Sequence, residues 1–153
     1  MLYTEGKIGR VFVIRLEDDD VLPSCVEQFA VKHNIIVGQA ILVGGIESGN
    51  LVVGPRKNTE MPPDPMLVPI DGVHEVVGVG VLAPDKKGKP VLHMHAALGR
   101  SGKTTTGCVR MGVKTWQVGE VVLYEILGAD VARLPDKKTG FELMVPGKKS
   151  RKL

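Results

Sequence analysis

The chain has 153 residues, enough for a single domain with a real core, and 43% of them are hydrophobic, 24% charged and only 4% aromatic. A net charge of +3 and an isoelectric point near 8.9 fall well short of the strongly basic balance of a dedicated duplex-binding protein, and few rings are present to stack on bases. The longest nearly apolar run, residues 35–46, is too short to span a bilayer and contains Gln39.

Cys25 and Cys108 are the only cysteines, and residues 1–5 lack the charged and apolar regions of a signal peptide. The expectation is therefore a reduced, cytoplasmic protein with no membrane partner. Nineteen glycines and ten prolines predict many turns and short strands.

Residues 7–16 carry apolar side chains on both faces and read as an interior strand. The acidic run Glu17-Asp18-Asp19-Asp20 precedes a helical pattern, where it complements the macrodipole, with Asp20 as N-cap and Pro23 in the first turn. Leu22, Cys25, Val26, Phe29, Ala30 and His33 then form one amphipathic stripe ending near Asn34, the only convincing helix. His33, close to its C-terminus, reads as a dipole partner.

Residues 35–46 predict a strand buried on both faces that ends in a bulge or turn at Gly44-Gly45, and no phosphate-loop motif follows these glycines. A short strand at residues 51–53 leads into a long loop, residues 55–69, with five prolines. Residues 73–82 form the next strand, with His74 and Glu75 at its start, followed by a turn at residues 84–89 bearing Lys86, Lys87 and Lys89.

Residues 91–98 have strand composition, so successive side chains point to opposite faces. Leu92, Met94, Ala96 and Leu98 make the core face, and His93 and His95 share the other, about 7 Å apart along the strand. Residues 105–114 are a second candidate strand, with Val109, Met111 and Val113 on the apolar face and Cys108 and Arg110 opposite. Matching the two apolar faces pairs Met94 with Val109 and Leu92 with Met111, and sets Cys108 opposite His95.

A His/His/Cys set suits zinc and leaves one coordination position open. A five-residue loop would instead turn Cys108 to the core, leaving a surface histidine pair and a small buried thiol. Glu75 is the nearby acid able to act as general base, and Arg110 or Arg100 could hold an anionic substrate.

Residues 119–127 predict a buried strand, and residues 133–134 and 141–145 a last hairpin around Asp136-Lys137-Lys138-Thr139-Gly140. Residues 1–146 then form one domain, and residues 147–153 a basic tail containing Lys148, Lys149, Arg151 and Lys152. One helix against about eight strands gives an α+β fold with an antiparallel or mixed sheet. A single helix covers only part of such a sheet, so apolar strand surface is left over for self-association.

The segment Gly78-Val79-Gly80-Val81-Leu82-Ala83-Pro84-Asp85, then Gly88-Lys89-Pro90, His93-Met94-His95-Ala96 and Leu98-Gly99, resembles the signature of the plants-and-prokaryotes conserved (PPC) domain. The likeness extends to Gly9-Arg10-Val11-Phe12-Val13-Ile14-Arg15-Leu16 and Glu27-Gln28-Phe29-Ala30, and so covers roughly residues 5–128. The chain departs from the family at Gly78-Val79-Gly80, where Ser-Gly is usual, and at Thr106-Gly107-Cys108, where Gly-Gly-His is usual. The second departure exchanges one metal ligand for another.

The resemblance implies a homotrimer and a DNA-associated regulatory module. Lys86, Lys87, Lys89, Lys137, Lys138 and the tail residues Lys148, Lys149, Arg151 and Lys152 are the candidate phosphate contacts. The other reading is a zinc-dependent enzyme using a metal-activated water, with Glu75 as proton shuttle and Arg110 holding the substrate.

Overall fold

The alternation of apolar and polar residues along the strands decides the architecture. The computed structural model of the chain describes residues 1–110, 112–147 and, for backbone only, 151–152. In chain order its elements are β1 (Leu2–Tyr3), β2 (Lys7–Glu17), β3 (Val21–Leu22), α1 (Ser24–Lys32), β4 (Gly38–Ser48), β5 (Asn50–Pro55) and β6 (Pro65–Pro69). There follow β7 (His74–Pro84), β8 (Pro90–Arg100), β9 (Lys103–Val109), β10 (Val113–Leu127), β11 (Val131–Pro135), β12 (Glu142–Pro146) and β13 (Arg151–Lys152).

The main sheet has nine strands, in the order β2, β10, β4, β7, β8, β9, β5, β6, with β3 added against β10; β1–β13 and β11–β12 are separate two-stranded ladders. All these pairings are antiparallel. The expected α+β class, a mostly antiparallel sheet with one helix, therefore holds.

One face of the sheet is the core. Leu42, Val76, Leu82, Leu92, Met94, Ala96, Leu98, Val121 and Leu123 alternate inward and pack with Val26, Ala30 and Ile35 of the helical segment. The helix closes in a Schellman motif, with Asn34 at φ 55°, the Ile35 amide donating to the Ala30 carbonyl and the Asn34 amide to that of Val31. His33 packs on Phe29 at 4.2 Å between ring centroids. The Asp20 cap does not form. Pairing of β3 with β10 draws Val21 and Leu22 into the sheet, Pro23 takes the N-cap position, and the Asp20 carboxylate accepts from the Glu17 amide.

Several strand boundaries and burials differ from expectation. β2 is an edge strand: Phe12 and Ile14 pack on the core, whereas Val11 and Val13 are 52% and 82% exposed. Likewise β4 buries Ala40 and Leu42 but exposes Ile41 and Val43. In both strands the second apolar face fronts solvent, so the both-faced pattern did not signal burial on both sides, and only β4 is interior to the sheet. The proline-rich stretch yields β6, tolerated because it is an edge strand with Pro65 and Pro69 at its ends.

The stretch 105–114 is split, with β9 ending at Val109 and β10 starting at Val113; the expected partner of Leu92, Met111, lies outside the described residues. β4 bends at Gly44, φ 134°, where the register against β10 shifts between Trp116 and Gly119. A β-carbon at Gly44 would lie 2.5 Å from the Val118 carbonyl oxygen.

Candidate metal centre

β8 and β9 are joined by the two-residue turn Ser101-Gly102, with φ values of 51° and 75°. Positive φ at both positions is the type I′ geometry that matches strand twist, and it fixes register. His95 accordingly lies opposite Cys108, as the matching of apolar faces predicts. His93 and His95 both leave the outer face, their Nε2 atoms 3.2 Å apart and their rings nearly perpendicular at 78°.

Cys108 shares that face but is only 5% exposed, because Val52 of β5 and the β11–β12 hairpin close over it. One donor atom from each of His93, His95 and Cys108 lies within 4.8 Å of the other two. Ligands about 2.0–2.1 Å from a tetrahedral zinc stand about 3.3 Å apart, so the imidazole spacing suits such an ion.

Electrostatics around the donors are mixed. Burial, then Arg133, His95 and Arg110, hold the His93 pKa below its ordinary value, so the ring is neutral and free to ligate. Burial raises the Cys108 thiol pKa, against the pull of Arg110 and Arg133 toward the thiolate. Without an ion the thiol keeps its proton at neutral pH; a bound cation would displace it.

A cavity of about 600 Å³ opens beside the donors, lined also by Arg110, Arg133, Phe141 and Glu142. Arg133 fastens the β11–β12 hairpin over the site, its Nη2 donating to the Val81 carbonyl at 2.9 Å and its Nε to that of Val91 at 3.5 Å. Burial lowers its pKa, with Glu142 and Cys108 opposing.

Of the residues expected at the site, His93, His95, Cys108 and Arg110 come together. Glu75 does not: it pairs with Gly99, four positions along β7 from the Val79 that pairs with His95, or about 13 Å away. Arg100 donates to the Val73 carbonyl at the same remote end. Arg133 and Glu142 escaped the sequence reading because a connection of some forty residues returns them to β8. Their one local signal was a charged Arg133 between apolar Ala132 and Leu134.

Lys86, Lys87, Lys89, Lys137 and Lys138 are exposed on the β7–β8 and β11–β12 turns. Arg151 and Lys152 pair with Tyr3 and Leu2, while Lys148 and Lys149 lie outside the described residues.

The donors also sit at the end of an apolar row. Val13, Val122, Ile41, Val79, His95, Cys108 and Val52 follow one another across seven adjacent strands on the outer face. The neighbouring row runs Val11, Tyr124, Gln39, Val81, His93. Val77, Val79 and Val81 are exposed within this surface.

A helix-backed antiparallel sheet with an exposed apolar face and a His-x-His strand within it defines a single-domain α+β fold. The chain belongs to the Plants and Prokaryotes Conserved (PCC) domain family, which residues 3–127 match. Among solved structures it is similar to a plant- and prokaryote-conserved (PPC) protein from Pyrococcus horikoshii, 22% identical, TM-score 0.81, covering 97% of this chain and 99% of that one.

A metal-containing protein from Archaeoglobus fulgidus is 21% identical, TM-score 0.79, covering 92% and 96%. A structure named a "putative DNA-binding protein", from Bacteroides thetaiotaomicron, is 17% identical, TM-score 0.76, covering 94% and 96%. No curated protein matches the sequence. Among the described residues no helix is long and apolar enough to cross a membrane.

Proposed function

We propose that the chain is a homotrimeric, cytoplasmic PCC-domain module that holds one divalent ion, zinc by its donor set, on His93, His95 and Cys108, and associates with nucleic acid through its basic turns. The observation that carries this reading is the convergence of three donors within 4.8 Å at the margin of an exposed apolar sheet face. The relative named as metal-containing supports the ion, and the one named for DNA binding supports the partner. When bound, a zinc ion with three protein ligands supplies a Lewis-acidic open position.

Contact with DNA through Lys86, Lys87, Lys89 and the tail residues Lys148, Lys149, Arg151 and Lys152 would be to phosphates, without base reading, and steeply salt-dependent.

Metal analysis of the purified protein tests the core of this reading. One zinc per chain is expected, falling to a small fraction in Cys108→Ala; equal, negligible metal in both proteins discards the site. For the partner, Lys86→Glu/Lys87→Glu/Lys89→Glu is expected to weaken DNA binding and to lower the slope of log K against log salt by about three. An unchanged slope removes this turn from the interface.

A second reading, a zinc-dependent enzyme, is favoured by the cavity that the open position would face, with Arg110 and Arg133 beside it. There Glu142, which lines the cavity, takes the proton-shuttle part expected of Glu75, with Glu75 itself about 13 Å away on β7.

A further inference from the structure

A buried guanidinium needs a compensating charge, and the one beside the metal donors has only the exposed Glu142 near it among the described residues, beyond ion-pair distance. Arg133 is 6% exposed, and its recorded partners are two neutral backbone carbonyls. Among the described residues no carboxylate lies within ion-pair distance of Arg133 or Arg110. Among the described residues Glu142 is the one acid lining the cavity; it is exposed, and the two arginines outnumber it.

The remaining wall is apolar, built chiefly from Val52, Phe141 and Leu143. At about 600 Å³ the space lies in the range of small-molecule sites. Two cationic groups and a hydrocarbon wall lining one space describe the complement of an amphiphilic anion.

We propose that this cavity binds an organic monocarboxylate, with its carboxylate on Arg133 and Arg110 and its apolar body against Val52, Phe141 and Leu143. The inference deepens the metal-site reading and rests on it for one contact, since a carboxylate oxygen also suits the open position on the ion; the arginines carry the rest. Inorganic phosphate would satisfy the arginines and leave the apolar wall uncovered.

Calorimetric titration of the full chain, stripped with chelator and again loaded with zinc, tests it with benzoate, benzamide and inorganic phosphate as probes. Benzoate is expected to saturate one site per chain in both forms, with benzamide at least about tenfold weaker. Arg133→Met is expected to weaken benzoate about tenfold. Because Arg133 also fastens the hairpin, Leu143→Asp at an exposed wall position gives a second variant. It should retain the native circular dichroism spectrum and bind benzoate several-fold more weakly.

Benzamide binding as tightly as benzoate, phosphate binding more tightly than benzoate, or unchanged benzoate affinity in either folded variant overturns the inference. Stoichiometric zinc with no benzoate binding overturns it and leaves the metal site standing. Benzoate bound by a chain that takes up no zinc overturns the metal site and leaves the carboxylate pocket.

Discussion

Two buried charged residues are satisfied in different ways. Glu125, buried on β10, takes the Arg10 Nε on Oε2 at 2.8 Å and the Arg10 Nη2 on Oε1 at 2.7 Å, and also accepts the Arg10 amide. The side-chain bonds, with that amide bond, pull its pKa from an ordinary 4.5 to about 2. A depressed folded-state value means stability that is present above the unfolded value and lost as pH falls through the folded one. Urea unfolding of wild type and Glu125→Gln is therefore expected to show a gap at pH 7 that shrinks below about pH 4.5 and closes near pH 2. A gap of constant size across that range would show that the ion pair is not its source.

Arg133, by contrast, donates to two carbonyls and, among the described residues, has no carboxylate within ion-pair distance, with Glu142 acting on it only through space. The histidine pair of the candidate centre was legible at this scale because a two-residue period fixes His93 and His95 on one face. Arg133 and Glu142 were not, since their approach depends on how a distant hairpin folds back.

At the scale of elements, the β7–β8–β9 meander sets the site. Register was readable because Leu92, Met94, Ala96 and Leu98 must face the core together, and a one-residue slip would expose them all. Gly80 on β7 keeps that meander close: a β-carbon there would come 2.8 Å from Leu92 Cδ1, 2.9 Å from Met94 Cβ and 3.0 Å from the His93 carbonyl oxygen. Gly80→Ser should cost about 1–3 kcal/mol of stability, by overpacking against the strand that carries both histidines. Denaturant midpoints measure this, and a variant as stable as wild type would mean that β8 yields without strain. The boundary at residues 110–112 was not readable, because the apolar period runs on through Met111 while the backbone leaves β9 and enters β10.

For the whole molecule, the uncovered sheet face is the dominant feature. Exposed valines and isoleucines spanning β2, β10, β4 and β7 are more than scattered surface hydrophobes, and such patches mark association sites. Val79 lies in the row next to His95, so a second copy seated on this face abuts the candidate metal centre. On the proposed trimeric reading, Val79→Glu is expected to shift the protein from a trimer to a 16.5 kDa monomer in sedimentation velocity. A wild-type monomer, or a variant that still assembles, removes this face as the interface.

Residue order alone determined the fold class, the helix, the inward set of β8 and the shared face of His93 and His95, because these follow from local periodicity and from the demand that apolar faces match. Tertiary structure alone decided that β2 is an edge, that Glu75 is remote, and that Arg133 roofs the centre. Those outcomes depend on which segments distant in sequence pack together, and a free energy of packing shared among many weak contacts leaves no mark on any short stretch of chain.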